Sequence, residues 1–312
     1  MAGSRVIKNR IRSTKNIQQI TKAMQAVSAV KMRKSEHTAL QARPYSISTL
    51  EILRNILSGT AKEELALHPF LIARPVKKIL AIVVTSDKGL AGAFNSNVVR
   101  KTQEFIKNTA IPVDIIAVGK RGRDFFSRRK AVIVGEFFES GDFVQVSEIS
   151  PIADMVLSRY RDGLADKVVI IYTNFLSALK QEVIIRELLP LSLPALESII
   201  NDSIPQSGHY SGLPRSLFRG VSDNGQYIFE PSALDVFDTL LPDLLRIEMY
   251  HSILEANASE HSSRMVAMKN ASQNARDLIG SLTVQYNKMR QAQITKELIE
   301  ITAGSEVLRA SA

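Results

Sequence analysis

The carboxyl-terminal third of this sequence is the part that most restricts the possible folds. No proline follows Pro242, and apolar residues then recur at alternating steps of four and three positions. This repeat comprises Ala275, Ile279, Leu282, Tyr286 and Met289. Heptad spacing of this kind places a narrow apolar seam along one side of a helix. With matching residues upstream and downstream, the pattern predicts a helix of about 60 residues, roughly 90 Å long. Such a helix needs a partner.

The amino-terminal segment has the same design. Positions 4–43 contain neither proline nor glycine. The apolar residues expected to form its seam are Ile7, Ile11, Ile17, Ile20, Met24, Val27 and Val30. Pro44 is expected to bend or interrupt the helix, but the periodicity resumes and continues to Ser58. We therefore predict one long amino-terminal helix that pairs with the carboxyl-terminal helix.

The net charge of +9 comes entirely from the amino-terminal helix. Residues 1–43 contain ten Lys or Arg residues and one acidic residue, Glu36, whereas the rest of the chain has 30 residues of each sign. One element is therefore positive, and it is expected to face a negative partner. The chain contains no cysteine, which excludes disulfide bonds, thiolate nucleophiles and cysteine-ligated metals.

Between the terminal helices, short β-branched runs alternate with helical patterns. We predict strands at 78–85, 113–118, 132–137 and 168–173, and helices at 95–108, 120–129 and 151–165. Near-continuous apolar strands that alternate with helices indicate a mainly parallel sheet covered on both faces. The expected fold class is α/β, with a Rossmann-like central domain and two long paired helices. The predicted domains are 1–58, 76–230 and 232–312, with a long loop excursion at 191–226.

One glycine-containing turn is the strongest candidate for a chemical site. Residues 86–95, SDKGLAGAFN, follow a predicted strand and precede a helix, a context that suits phosphate binding. The glycine spacing matches neither the dinucleotide nor the P-loop fingerprint. A tight turn with close packing at Gly89 and Gly92 is therefore favoured. The five histidines lack metal-ligand spacing, and we assign no catalytic, cofactor-binding or metal-binding residue.

Two alternatives from other functional classes are open at this stage. An α/β enzyme with helical appendages would be stabilised by a nucleotide. A nucleic-acid-binding coiled coil would use the basic helix, although no aromatic residue precedes Tyr45. The longest apolar run, near residues 79–84, is far shorter than the roughly 20 residues needed to cross a bilayer.

Three segments carry a resemblance to a known family. Residues 11–35 read IRSTKNIQQITKAMQAVSAVKMRKS and are followed by ARPY at 42–45, and residues 258–308 begin ASEHSSRMVAMKNASQNARDL. Both terminal segments resemble the terminal helices of the gamma subunit of F-type ATP synthases. The segment TSDKGLAGAFN resembles the turn after the first strand in the same family. The resemblance covers nearly the whole chain.

This resemblance implies a rotor that is not itself catalytic and needs no cofactor. In that family the terminal helices form an antiparallel coiled coil inside a ring of three alpha and three beta subunits, while the α/β domain stands on the membrane c-ring. Turning this asymmetric shaft forces the catalytic sites through different nucleotide affinities. The implied partners are the alpha, beta and epsilon subunits and the c-ring, with one copy of this chain per complex and no nucleic acid.

The resemblance also assigns contact residues and a location. The residues implied to face the catalytic ring are Met24, Lys31, Arg33, Lys34, Arg290, Gln291, Thr295, Leu298 and Ile301. Those implied to lie near the membrane ring are Phe229, Glu230 and Pro231. Because no organelle-targeting extension is recognised, the expected location is the cytoplasmic face of a bacterial plasma membrane, with the mitochondrial inner membrane as the alternative.

Overall fold

The computed structural model describes residues 2–59, 69–71, 74–138, 144–191, 230 and 232–310. The helices are α1 (Ala2–Gly59), α2 (Phe94–Asn108), α3 (Lys120–Arg128), α4 (Val146–Arg161) and α5 (Ala233–Ala310). The strands are β1 (Ile79–Val84), β2 (Val113–Val118), β3 (Ile133–Phe137), β4 (Lys167–Phe175) and β5 (Gln181–Leu189). The predicted α/β class is confirmed. The predicted excursion at 191–226 lies almost wholly outside the described residues.

The strands form one mainly parallel sheet in the order β3-β2-β1-β4-β5. Strands β1 to β4 are parallel, and β5 runs antiparallel to β4. The sequence pattern left β5 unassigned because Glu182, Arg186 and Glu187 interrupt its apolar residues. Its hydrogen bonds to the central strand β4 compensate for this weak pattern.

Both faces of the sheet are buried. Alternate residues of β1 belong to two different apolar clusters: Leu80, Ile82 and Val84 pack with α4 and α5, whereas Ala81 and Val83 pack with α2 and α3. This alternation follows from the two-residue period of a strand. It explains why the parallel strands read as almost uninterrupted apolar runs.

Helix α4 begins five residues before its predicted start. The prediction placed the start at Pro151, a residue that is well tolerated in the first turn of a helix. Instead, the backbone N–H of Gln145 donates a hydrogen bond to the Glu148 carboxylate at 3.1 Å. This reciprocal cap defines an earlier start at Val146.

Both terminal helices are continuous. Helix α1 remains helical across Pro44, and α5 has 78 residues, which corresponds to roughly 117 Å. The predicted length of α5 was too short because the helix was counted only from Ile247, after Pro242, whereas it continues through Pro242 back to Ala233. At its true start, the hydroxyl of Ser232 accepts a hydrogen bond from the backbone N–H of Asp235 at 3.1 Å, which is a typical helix cap.

The chain forms two compact units. The helical unit consists of residues 1–27 and 265–312, and the sheet unit consists of residues 28–264. Each terminal helix contributes to both units. In the helical unit, α5 buries Met268, Ala275 and Leu282 at seven-residue intervals. Ile279 and Tyr286 are half-buried, so the predicted seam of α5 is confirmed at these positions.

The last predicted seam residue of α5 is different. Met289 is 40% exposed, so its assignment to the buried seam was wrong. The heptad spacing of apolar residues continues through Met289, but the last seam side chain that is at least half-buried is that of Tyr286.

The buried side of helix α1 differs more strongly from its predicted apolar seam. Four of its buried positions, Thr14, Thr21, Ser28 and Ser35, are again seven residues apart, and Met32 is also buried. In contrast, the predicted seam residues Ile17, Ile20, Val27 and Val30 are each more than half exposed. The predicted period was correct, but the predicted phase was wrong at these four residues, whereas Ile7, Ile11 and Met24 are half-buried. The apolar stripe precedes the buried seam by one residue, which corresponds to a rotation of about 100° around the helix.

The buried hydroxyls of α1 form hydrogen bonds with their own helix. Thr14 donates to the carbonyl of Arg10 at 2.8 Å, and Thr21 donates to the carbonyls of Ile17 and Gln18 at 3.0 Å. A threonine hydroxyl satisfied in this way can be buried at little cost. This bonding allows a seam that the hydrophobicity pattern does not reveal.

We predict that two glycine substitutions have opposite effects on stability. Gly119 has a φ of +96°, and a Cβ there would collide with the Thr85 carbonyl oxygen, so Gly119→Ala should destabilise the chain by about 2 kcal/mol or more. A Cβ at Gly280 would meet no described atom within 4 Å. Gly280→Ala should therefore stabilise the chain by about 0.5–1 kcal/mol, as expected within a helix. Urea unfolding measures both effects, and equal effects would contradict this packing.

Candidate functional site

The carboxyl ends of β1 and β4 mark the position where open α/β sheets bind ligands, because the strand order reverses there. The turn after β1 is closed by its own side chains. The Ser86 N–H donates to the Asn95 Oδ1 at 2.9 Å, the Asn95 amide donates to the Ser86 hydroxyl, and that hydroxyl donates to the Lys88 carbonyl. The turn is tightly packed, as its sequence predicted.

Protein groups also occupy the neighbouring anion-binding positions. The Asp87 carboxylate accepts a hydrogen bond from the Lys120 N–H at the first turn of α3, where a phosphate would otherwise bind. From α5, the Arg264 guanidinium binds the Glu260 carboxylate at 2.5 Å and lies 3.4 Å from the Gly89 carbonyl oxygen. The edge of the sheet is thus filled by a carboxylate and by the side chains of α5.

A buried polar network holds α5 against the sheet. We call Tyr172, Arg186, Glu248 and Glu255 the clamp. The Tyr172 hydroxyl donates to Glu255 at 2.9 Å, and Arg186 forms an ion pair with Glu248 at 3.4 Å. All four side chains are buried. Because each carboxylate is paired, α5 can bury two acidic residues on its sheet-facing side.

Small residues extend this attachment towards the carboxyl end of the sheet. The Ser259 hydroxyl donates to the Thr173 carbonyl at 3.1 Å, and the Ser262 hydroxyl donates to the Ala178 carbonyl at 2.5 Å. Gln181 in turn donates to the Ser262 hydroxyl. Sequence analysis missed these contacts. Their only signal is that Glu248 and Glu255 stand seven residues apart within an otherwise apolar and small-residue segment.

The predicted contact residues at the end of α5 are all exposed. Arg290, Gln291 and Thr295 lie on the surface, and Leu298 and Ile301 are 58% and 68% exposed. Ile294, which the sequence analysis did not select, is also exposed. Since positions 294, 298 and 301 share one helix face, the structure brings these three apolar side chains together. We call them the α5 stripe.

The predicted contact residues of α1 are less uniform. Arg33 and Lys34 are exposed, whereas Met24 and Lys31 are half-buried. Ile17, Ile20 and Val27 form an exposed apolar line beside Met24, which we call the α1 stripe. An exposed apolar line on a long helix is typical of a protein interaction surface.

The predicted foot segment is only partly described. Glu230 is exposed, and Phe229 and Pro231 lie outside the described residues. Within the described part of the chain, no helix is long and apolar enough to cross a membrane. The same residues contain no group of three His, Asp or Glu side chains that could hold a metal ion.

Comparison with known proteins identifies the family. The family model described as ATP synthase matches residues 3–308. The ATP synthase gamma chain of Moorella thermoacetica is 37% identical over 309 residues, which cover 99% of this chain and all of that protein. This chain belongs to the ATP synthase gamma chain family. A second gamma chain, from Dehalococcoides mccartyi strain CBDB1, is 39% identical over 308 residues and is also covered completely.

Solved structures agree with the gamma-chain fold. A chain of the Euglena gracilis mitochondrial ATP synthase aligns with a TM-score of 0.65 at 19% identity, covering 99% of this chain and 96% of that one. A chain of the Tetrahymena thermophila mitochondrial ATP synthase central stalk and c-ring aligns with a TM-score of 0.57 at 24% identity. That match covers 81% of this chain and 99% of the other.

We predict that the clamp contributes measurably to gamma-chain stability. Tyr172→Phe removes the donor to the buried Glu255 carboxylate and should lower the free energy of unfolding by about 1.5–3 kcal/mol. Tyr250 is the matched control, because its half-buried hydroxyl forms no hydrogen bond with a described residue. Tyr250→Phe should change stability by less than about 0.5 kcal/mol. Equal losses in urea unfolding would contradict the clamp.

The same tyrosine should make gamma-chain stability depend on alkaline pH. Burial, together with the nearby Glu255 charge, raises the pKa of Tyr172 well above 10. Above about pH 10 the unfolded tyrosine ionises while the folded one keeps its proton, so stability falls as pH rises, by up to about 1.4 kcal/mol per pH unit. Tyr172→Phe should make this fall less steep. Unfolding free energies from about pH 9 to pH 11 test the sign.

Proposed function

We propose that this chain is the central-stalk rotor of a membrane-associated, proton-driven ATP synthase. In this role it carries torque from the membrane ring to the catalytic subunits and hydrolyses nothing itself. Family membership over the full length supports this role. The observation that carries the mechanism is the pair of exposed apolar stripes on the two longest helices.

The stripes supply the energy that couples rotation to the surrounding ring. Full burial of a Leu or Ile side chain stabilises a complex by about 1.5–3 kcal/mol. The side chains of the α1 stripe and the α5 stripe are about half exposed, so each adds on the order of 1 kcal/mol when a partner covers it. Several such residues give a contact energy large enough to favour one conformation of a neighbouring subunit over another.

The two helices present different charges to the ring. In the helical unit, α1 carries six Lys or Arg residues and no acidic residue, whereas α5 carries both signs. A turning shaft therefore offers each fixed neighbour a basic face and then a mixed face. We infer that acidic loops of the alpha and beta subunits contact Arg33 and Lys34, and that Arg290, Gln291 and Thr295 contact another part of the ring.

The sheet unit is proposed to attach to the membrane c-ring and to an epsilon-type subunit, with one copy of this chain per complex. Glu230 is exposed, which suits a contact at the foot segment. Bacterial gamma chains among the relatives favour the cytoplasmic face of a bacterial plasma membrane. The side chains of α5 at the β1–β4 edge support a non-catalytic role, because they occupy the position where a nucleotide would bind.

Co-expression with alpha and beta subunits tests the proposal. Ile20→Asp places a carboxylate in the α1 stripe, and burying it should cost several kcal/mol. We expect this variant to be lost from the purified ring, or to reduce ATP turnover by more than about tenfold. Leu179→Asp is the control, since Leu179 is even more exposed, at 86% against 59%, but lies on the β4–β5 turn.

Two results would contradict the rotor. One is a ring that retains Ile20→Asp as well as Leu179→Asp with the same turnover. The other is a ring whose ATP turnover does not depend on this chain at all.

A further inference from the structure

The amino-terminal edge of the sheet is strongly basic. The four segments that lead into the parallel strands, 74–78, 107–112, 128–132 and 159–167, contain ten Lys or Arg residues and two Asp residues. Two more acids, Asp114 and Glu187, pair with bases of this edge. The net charge of the edge is therefore about +6. At the opposite edge, segments 85–93, 119–123 and 176–180 contain five Lys or Arg residues and one Asp. Asp124 and Glu136 pair with Arg123 there, so the net charge of that edge is about +2.

Helix dipoles explain only part of this charge. Helices α2, α3 and α4 end at this edge with Lys107, Arg128 and Arg161 in their last turns. Each helix end is equivalent to about half a negative charge. Three ends supply roughly −1.5, so they offset only part of the positive charge of this edge.

Three of these bases are available for an external partner. Lys107, Arg128 and Lys130 are exposed, and none forms an ion pair with any residue that the structure describes. Exposed apolar side chains stand next to them in the chain and at the same edge: Val132 is 57% exposed and Leu164 is 50% exposed. Basic residues beside exposed aliphatic ones are typical of a surface that rests on lipid headgroups.

The carboxyl edge is in contact with α5, because the Arg264 guanidinium lies 3.4 Å from the Lys88 and Gly89 carbonyl oxygens. The basic edge is at the other end of the strands.

We propose that this edge contacts the phosphate headgroups of an anionic membrane surface. The bases bind headgroup phosphates, and Leu164 and Val132 enter the interfacial layer beside them. A lipid surface fits better than nucleic acid, because the bases are spread along an edge and are accompanied by aliphatic side chains rather than by exposed aromatic ones that stack on bases. The contact does not depend on rotation.

A fluorescent reporter tests the orientation. The chain contains no tryptophan, so Leu164→Trp places a single reporter at the basic edge of the full-length chain. Leu179→Trp is the control, because Leu179 is 86% exposed on the β4–β5 turn at the opposite edge. With vesicles of phosphatidylcholine and phosphatidylglycerol, emission should shift to shorter wavelength for Leu164→Trp only. An emission shift at both positions, or at neither, would overturn the proposal. This holds even if the basic helix α1 binds vesicles by itself, because the two reporters differ only in the edge on which they lie.

Charge removal tests the energetics. Each base near an anionic membrane strengthens partition about fivefold, so the triple variant K107Q/R128Q/K130Q should partition on the order of a hundredfold more weakly into anionic vesicles. The matched control, R100Q/K101Q/K180Q, removes three exposed bases away from this edge. Thermal unfolding checks that both variants are folded.

Binding of the two triple variants to vesicles and to nucleic acid decides whether the edge contacts lipid. A clear difference between the two triple variants on anionic vesicles, with no binding to pure phosphatidylcholine, supports the lipid contact. Equal losses overturn it. Tighter binding of the edge to duplex DNA or RNA than to vesicles, lost in the same variant, would replace the lipid by nucleic acid.

Discussion

The attachment of α5 to the sheet is the interaction on which the rest of the sheet unit depends. Residues 248–262 of this helix bury paired carboxylates and small hydroxyls against β4 and the β4–β5 turn. Apolar packing alone would let a helix slide or rotate along a sheet, because it has no preferred direction. Hydrogen bonds of fixed geometry remove that freedom. A helix that extends far beyond its own unit thereby has one defined rotation relative to the strands.

The sequence predicted the strands and the helical periods well, because both depend on local patterns. Strands β1, β2 and β4 are buried on two faces and read as apolar runs, and the heptads of α5 place Ala275 and Leu282 in the seam. The edge strand β5 was missed because charged residues interrupt its apolar pattern, and one of them, Arg186, is matched by Glu248 on a distant helix. No local pattern contains such a pair.

The phase error in α1 has a different cause. The prediction assumed that the apolar side of a helix is the side buried within its own chain. In α1 the chain buries Thr14 and Thr21, whose hydroxyls bond to the helix itself, and leaves Ile17 and Ile20 outside. The apolar side of such a helix indicates where another subunit would bind, not which side is buried within its own chain. The α5 contact residues assigned by resemblance, such as Arg290 and Ile301, are all exposed, but exposure alone does not select the partner of each one.

The outward orientation of the α1 stripe also has a consequence for the cell. A newly made copy that has not met its partners displays isoleucines along a long helix, which invites aggregation and proteolysis. In the proposed assembly the ring would cover them, and a bound partner stabilises a folded chain by mass action. Cells that make this subunit therefore gain from synthesising it in step with the ring, since any surplus is both unstable and adhesive. The α1 stripe, which would couple the shaft to its ring, thus also limits how much free subunit accumulates, because unassembled copies aggregate or are degraded.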